Sequence, residues 1–488
     1  MINTIPPELL SQIFIHGVPR IEAEPVVPTR PVDEMAAWTG TTSMYQWTFY
    51  RQTLMLTCRA WHNVCIQTPQ LWTYIAWPPT VRADQISAAL GLYAKRSGVL
   101  PLIVYVDLRL IQSRPLHGAS TCTALQLFNL SVLPRIGQLR FFSANTDSSN
   151  SVWEKIIQMF TDPCCVEPRV QSLHGHGFPL LVPQRFVSML EMRTQQLSVR
   201  LKSALDLLSF GEPFPLLTSL DLRNTSVNPP QLTQLLERCP SLKSLRVMLA
   251  QRGDYSCASL GRALSQLRFL ALYPFPFHGS TNGPFGQFPT LTPSPIPGKG
   301  CQHIEVSVRA LEEGCFPNVP GATVLTIVCN PFPPTSLRRG LVAAPAASFG
   351  CIKELRLHGF RPTAHARYSF SETMMVLASP DLVRMAFPGL SYLTIQYPPC
   401  PDEVCRIGDD SRFLADLAHK EVLSALSKVL EVLPDITLRV WLPYTFKLGF
   451  RGYESWLDSQ MMIRRWRESL VKDFGPRVVV LDQWPPEY

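Results

Sequence analysis

The sequence predicts an α/β protein with a small helical head, an irregular array of strand-plus-helix units and a helical C-terminal cap. Three observations carry that prediction. Two short amphipathic patterns stand within residues 1–80; a Leu-rich motif returns at 25-residue steps in the middle of the chain; and helical spacing dominates again from 401 to 488.

Composition sets the frame. The 488 residues are 46% hydrophobic and 17% charged, a globular balance with mass for roughly two to four domains. Proline is the outlier, at 45 residues, and its scatter predicts many short elements ended by frequent breaks. The net charge of +8 is unevenly spread: residues 1–80 carry −1, 81–400 carry +11 and 401–488 carry −2. A basic middle favours an acidic partner. The dense Lys/Arg runs and interleaved aromatics of a nucleic-acid groove are missing, and Arg338-Arg339 and Arg464-Arg465-Trp466-Arg467 come nearest. The 13 cysteines have no regular spacing and no C-x-x-C pair, and no secretory apolar segment opens the chain, so reduced thiols and a cytoplasmic or nuclear location are expected. No apolar run approaches the ~18 residues of a membrane span.

In the head, Leu9, Leu10, Ile13 and Phe14 form one apolar stripe of a helix whose first turn suits Pro6 and Pro7. Leu54, Cys58, Trp61 and Cys65 predict a second amphipathic helix, with Cys58 on its apolar side as a small hydrophobe; Pro69 stops it. So small a unit buries its stripes against a partner or against the next part of the chain, as a plain N-terminal cap. Between its helices, residues 17–48 hold Pro19, Pro25, Pro28 and Pro31 and predict an irregular loop.

The ordered pieces Ile5-Pro6-Pro7-Glu8-Leu9-Leu10-x-x-Ile13-Phe14, Cys58-Arg59-x-Trp61 and Thr68-Pro69-x-Leu71-Trp72 resemble an F-box of the form common in mushroom-type fungi. The resemblance covers residues 4 to 77, and the long connection between the helices departs from a minimal F-box. It implies docking to the Skp-family adaptor of an SCF-type cullin–RING ubiquitin ligase. The contact residues it implies are Pro6, Leu9, Leu10, Ile13, Phe14, Leu54, Cys58 and Trp61, some of which must face the internal core instead.

A helix with Ile86, Leu90, Tyr93 and Ala94 on one face follows, closed by Lys95-Arg96-Ser97-Gly98, and then a β-rich run from Leu100 to Asp107. Leu217-x-x-Leu220-x-Leu222 returns as Leu242-x-x-Leu245-x-Val247 and Leu267-x-x-Leu270-x-Leu272, with a short helix from Pro230 to Arg238 between the first two. This is the leucine-rich-repeat signature. Looser copies begin at Ile136, Val170, Ala322, Ile352, Leu390 and Leu433, with a further strand at Gln195–Val199; they make the predicted solenoid irregular over 81–400 and carry repeats on into 401–488, ahead of the cap. An ordinary α/β domain with buried strands is the alternative. In a repeat array the residues between the leucines face a concave surface, which makes Ser219, Asp221, Ser244, Arg246, Phe269 and Ala271 candidates for binding a target protein. Residues 274–300, rich in Pro, Gly, Ser and Thr, predict a surface insertion. From 401 on, Phe413 to Leu433 and Ser455 to Phe474 predict helices, and Val478–Leu481 a last strand.

No phosphate loop, nucleotide fingerprint, nucleophile elbow or H-E-x-x-H occurs. His174-Gly175-His176 and Cys400 with Cys405 lack the further ligands a metal needs, and the adjacent Cys164-Cys165 are read as packed or idle. The expectation is a binding protein with no catalytic residue, cofactor or metal. It would be either a substrate-recognition adaptor of a ubiquitin ligase or, without a ligase role, a protein-interaction scaffold whose degenerate head only caps the array.

Overall fold

Each evenly spaced Leu-rich copy becomes one strand that starts two residues after its first leucine. These strands are Ser219–Val227, Ser244–Leu249 and Phe269–Pro274. The computed structural model describes residues 5–17, 50–77, 83–107, 132–143, 171–177, 195–198, 213–249, 258–274, 300–312, 319, 321–329, 334–343, 349–358, 364–396, 410–442 and 464–481. The predicted loop at 17–48 and the insertion at 274–300 lie almost wholly outside them.

Two compact units result: one runs to Thr225 and includes Arg238–Ser241, and the other holds Ser226–Glu237 and the chain from Leu242 onward. In the first, β1 (Tyr74–Trp77), β2 (Leu102–Asp107), β3 (Ile136–Ser143), β4 (Ser172–Gly177), β5 (Gln196–Ser198) and β6 (Ser219–Val227) pair in chain order, all parallel. In the second, β7 (Ser244–Leu249), β8 (Phe269–Pro274), β9 (His303–Ser307), β10 (Val324–Val328), β11 (Glu354–His358), β12 (Tyr392–Gln396), β13 (Thr437–Trp441) and β14 (Val478–Leu481) do the same. Parallel neighbours need crossover connections, and helices supply several of them: Ala258–Leu264, Pro334–Ala343, Ala364–Leu377, Asp410–Val432 and a helix at 464–474. The chain is a mixed α/β protein with parallel strand pairing.

Register builds the core. One row of the second unit is Leu245, Leu270, Ile304, Leu325, Leu355, Leu393, Leu438 and Val478. Val247, Leu272, Val306, Ile327, Leu357, Ile395, Val440 and Val480 form the next row on the same face. From Leu245 to Leu438 the first row is no more than 1% exposed. The first unit repeats the device with Ile75, Val104, Leu139, Leu173, Leu197 and Leu220.

The register also corrects one alignment. The copy expected to start at Leu433 places Leu438, not Ile436, opposite Leu393, so it begins two residues later, at Asp435. The same face stays inward because side chains alternate with period two. Strand β9 had no predicted copy: Cys301 stands where the first leucine would, and Ile304 and Val306 complete the pattern.

Capping fixes where helices start and stop. Asn228 accepts from the Gln231 backbone N–H at 2.9 Å, and the Gln231 side chain accepts from the Asn228 N–H at 3.0 Å, a reciprocal box around Pro229. After the helix Ala83–Arg96, Gly98 takes φ +60°, the left-handed step that ends a helix at little cost in glycine.

Candidate functional site

The head is built from three short helices where the sequence predicted two: Pro7–His16, residues 50–57 and Arg59–Gln67. A 3-10 turn, Pro69–Trp72, closes it. Its core holds Leu10, Phe14, Leu54, Val64, Cys65, Leu71 and Trp72, with Trp61 partly buried against it. The Phe14 and Trp61 rings lie 4.9 Å apart, centroid to centroid. The Trp72 indole N–H donates to the Cys65 carbonyl at 2.8 Å, which ties the turn to the preceding helix.

The eight residues proposed for adaptor contact therefore separate. Leu10, Phe14 and Leu54 are buried, Trp61 is half-buried, and Pro6 and Cys58 are exposed. Leu9 at 56% and Ile13 at 53% exposure face outward together, one helical turn apart. A third apolar side chain, Leu56, is 85% exposed on the helix at 50–57. Periodicity missed it because Leu56 is about 200° around the helix from Leu54, off the predicted stripe.

Cys58 is a correction. It does not lie on a buried stripe but interrupts the helix with extended dihedrals, φ −162° and ψ 168°, and its sulfur accepts from the Trp61 N–H at 3.5 Å. It is an exposed N-cap, the role serine usually fills.

Arg51 holds the head to the helix Ala83–Arg96. Its guanidinium sits 4.5 Å from the Trp72 ring centroid and 4.4 Å from that of Tyr93, donates to the Leu71 carbonyl at 3.3 Å and donates to the Tyr93 hydroxyl.

In the second unit, the sheet face opposite the leucine rows carries a polar row set by register: Arg246, Ala271, Glu305, Thr326, Arg356, Thr394 and Arg439. Two carboxylates organise it. Glu305 receives the Tyr273 hydroxyl and lies 3.6 Å from Arg246 and 3.7 Å from His358. Glu354 lies 3.0 Å from Arg356 and 3.4 Å from Arg439, and accepts from the Thr394 hydroxyl at 2.7 Å. Burial by itself would raise the Glu354 carboxyl; the Arg356 guanidinium, the Thr394 hydroxyl and Arg439 outweigh it and hold the group below the usual range.

That face overturns part of the expected target surface. Ser244 is 1% exposed and Phe269 and Ala271 are fully buried, because Phe269, Ala271, Tyr273, Met248 and Val328 form a second apolar cluster there. They offer no exposed contact. Arg246 stacks 4.5 Å over the Phe269 ring and pairs with Glu305. In the first unit, Ser219 and Asp221 are half-buried.

Among the described residues no group of His, Cys, Asp or Glu could hold a metal ion, and no helix is long and apolar enough to cross a membrane. His174-Gly175-His176 lies on β4, and Cys164, Cys165, Cys400 and Cys405 fall outside the described residues. Burial pushes the thiols of Cys239 and Cys301 up to about 12 and that of Cys65 to about 11, which suppresses the reactive thiolate.

A scan of family models and a search of the curated proteins returned no match to this chain. What stands is a class: an α/β chain of parallel strand-plus-helix units, preceded by a helical head with outward-facing apolar side chains.

Proposed function

We propose that the chain is a substrate-recognition adaptor of an SCF-type ubiquitin ligase, in which an F-box head docks the Skp-family adaptor and a leucine-rich-repeat solenoid holds a target protein. One observation carries the reading. The head already closes its own core around Phe14, yet leaves Leu9, Ile13 and Leu56 in solvent at 56, 53 and 85% exposure. Aliphatic side chains left out of so small a core suit a partner that covers them, each contributing roughly 1.5–3 kcal/mol when buried. The stacked parallel strands with one leucine-lined face support the solenoid half of the reading.

The test is co-purification of the full chain with a Skp-family adaptor. Leu9→Ser combined with Ile13→Ser is expected to abolish capture while thermal unfolding stays within a few degrees of the parent, since neither side chain belongs to the core. Undiminished capture by that folded variant would overturn the docking surface, and no capture by the parent chain would overturn the ligase reading.

A further inference from the structure

The strands of the second unit carry a row of residues just before their first positions, all at one edge of the sheet. Lys243, Arg268, Gln302, Thr323, Lys353 and Ser391 precede β7 to β12 in turn. Backbone hydrogen bonds lock them side by side: the Arg268 N–H donates to Lys243 at 2.8 Å, Gln302 to Arg268 at 3.0 Å, and Thr323, Lys353 and Ser391 each to the preceding carbonyl at 2.8 Å. Three of the six are cations and none is acidic. Lys243, Arg268 and Lys353 are exposed, and none makes an ion pair or side-chain hydrogen bond among the described residues. The carboxylates on these strands, Glu305 and Glu354, are turned into the buried polar row and already paired. Two like charges on neighbouring strands, about 5 Å apart, repel each other, and no ion pair among the described residues relieves them.

We infer that this edge, from β7 to β11, binds an extended acidic segment of a protein partner. Five strands at about 4.8 Å set Lys243 and Lys353 roughly 19 Å apart, the length of about six residues of extended chain. Neighbouring acidic side chains would meet Lys243 and Arg268 at one end, and a further acid would reach Lys353 at the other. Gln302 and Thr323 between them add polarity without adding charge. Asp435, exposed two residues before β13, marks where the basic stretch gives way. A nucleic acid is disfavoured because the row carries three cations over roughly 19 Å and interleaves no aromatic ring. Calling the bound segment a ligase target rests on the proposed function; the binding itself does not.

The experiment titrates the full chain with a fluorescent oligoglutamate peptide of about eight residues, at low salt. The parent chain is expected to bind, and Lys243→Gln/Arg268→Gln/Lys353→Gln to weaken binding at least tenfold and flatten its salt dependence. Lys420→Gln/Lys428→Gln/Lys472→Gln removes the same charge from exposed helical positions and is expected to change affinity less than twofold. Equal losses in the two variants, or no loss in the first, would overturn the site. So would tighter binding of oligothymidylate than of oligoglutamate, with the same sensitivity to the first variant. Retention of the Skp-family adaptor by the row variant is expected. If the parent chain fails to capture that adaptor but binds the peptide, the ligase reading falls and the acidic-segment site stands.

Discussion

Arg51 shows how one side chain can join two elements. A buried guanidinium costs desolvation, and here it is offset by two aromatic faces and the Leu71 carbonyl. Arg51→Met keeps much of the bulk but leaves that carbonyl and the Tyr93 hydroxyl without their donor partner. Urea unfolding is expected to show a loss of about 2 kcal/mol, and a loss below about 0.5 kcal/mol would mean that the stack contributes only packing. Glu354 gives a signed pH dependence. Its folded carboxyl lies below its unfolded value, so the unfolded chain binds the proton more readily. The interaction contributes stability above the unfolded pKa of about 4.3 and is lost as pH falls through the lower folded value. Glu354→Gln is therefore expected to be less stable than the parent at neutral pH, with the difference shrinking as the solution is acidified. A difference independent of pH would show that the carboxylate charge is irrelevant.

Among elements, Cys58 sets the expected small hydrophobe against the observed N-cap. A hydrophobe on a buried stripe would suffer on replacement by serine, whereas an N-cap would gain. Cys58→Ser is expected to leave stability unchanged or raise it by about 0.5–1 kcal/mol, measured by thermal unfolding. Arg135 and Arg477 make a matched pair. Each ends a 3-10 turn directly before a strand, and each donates to one carbonyl in the last turn of the helix that leads into the neighbouring strand and to another just past that helix. Arg135 reaches Ala94 and Leu100 at 2.8 Å, and Arg477 reaches Leu430 at 2.6 Å and Leu433 at 3.1 Å. Long-range capping of this kind leaves no signal in local spacing, which is why neither arginine was a candidate. Gly340 also acts between elements. A Cβ there would lie 2.7 Å from the Leu311 Cβ and 2.9 Å from its backbone carbon, so the helix Pro334–Ala343 rests directly on Val308–Glu312. Gly340→Ala is expected to cost about 1–3 kcal/mol despite alanine's better helix propensity; a stabilised variant would refute that close approach.

For the whole molecule, the leucine rows are the structure's backbone of stability. Leu355 is fully buried with Leu325 and Leu393 as its register neighbours, and Leu355→Ala is expected to cost about 2–5 kcal/mol by denaturant unfolding. That periodicity is a one-dimensional property, since every parallel strand repeats the same inward positions, and so the sequence by itself determined the strand-plus-helix alternation and most strand positions. It also determined the head's helical character and the basic bias of the middle. The tertiary structure decided what depends on contacts between distant residues. It put Leu10 and Phe14 inside and left Leu9 and Ile13 outside, although all four share one helical pattern. It buried Ser244 and Phe269, moved the last Leu-rich copy by two residues, and aligned Lys243, Arg268 and Lys353 along one edge from points over a hundred residues apart. The physical reason is common to these cases. Spacing fixes which side of an element is apolar, but only packing and register choose which part of that side meets another element and which meets water.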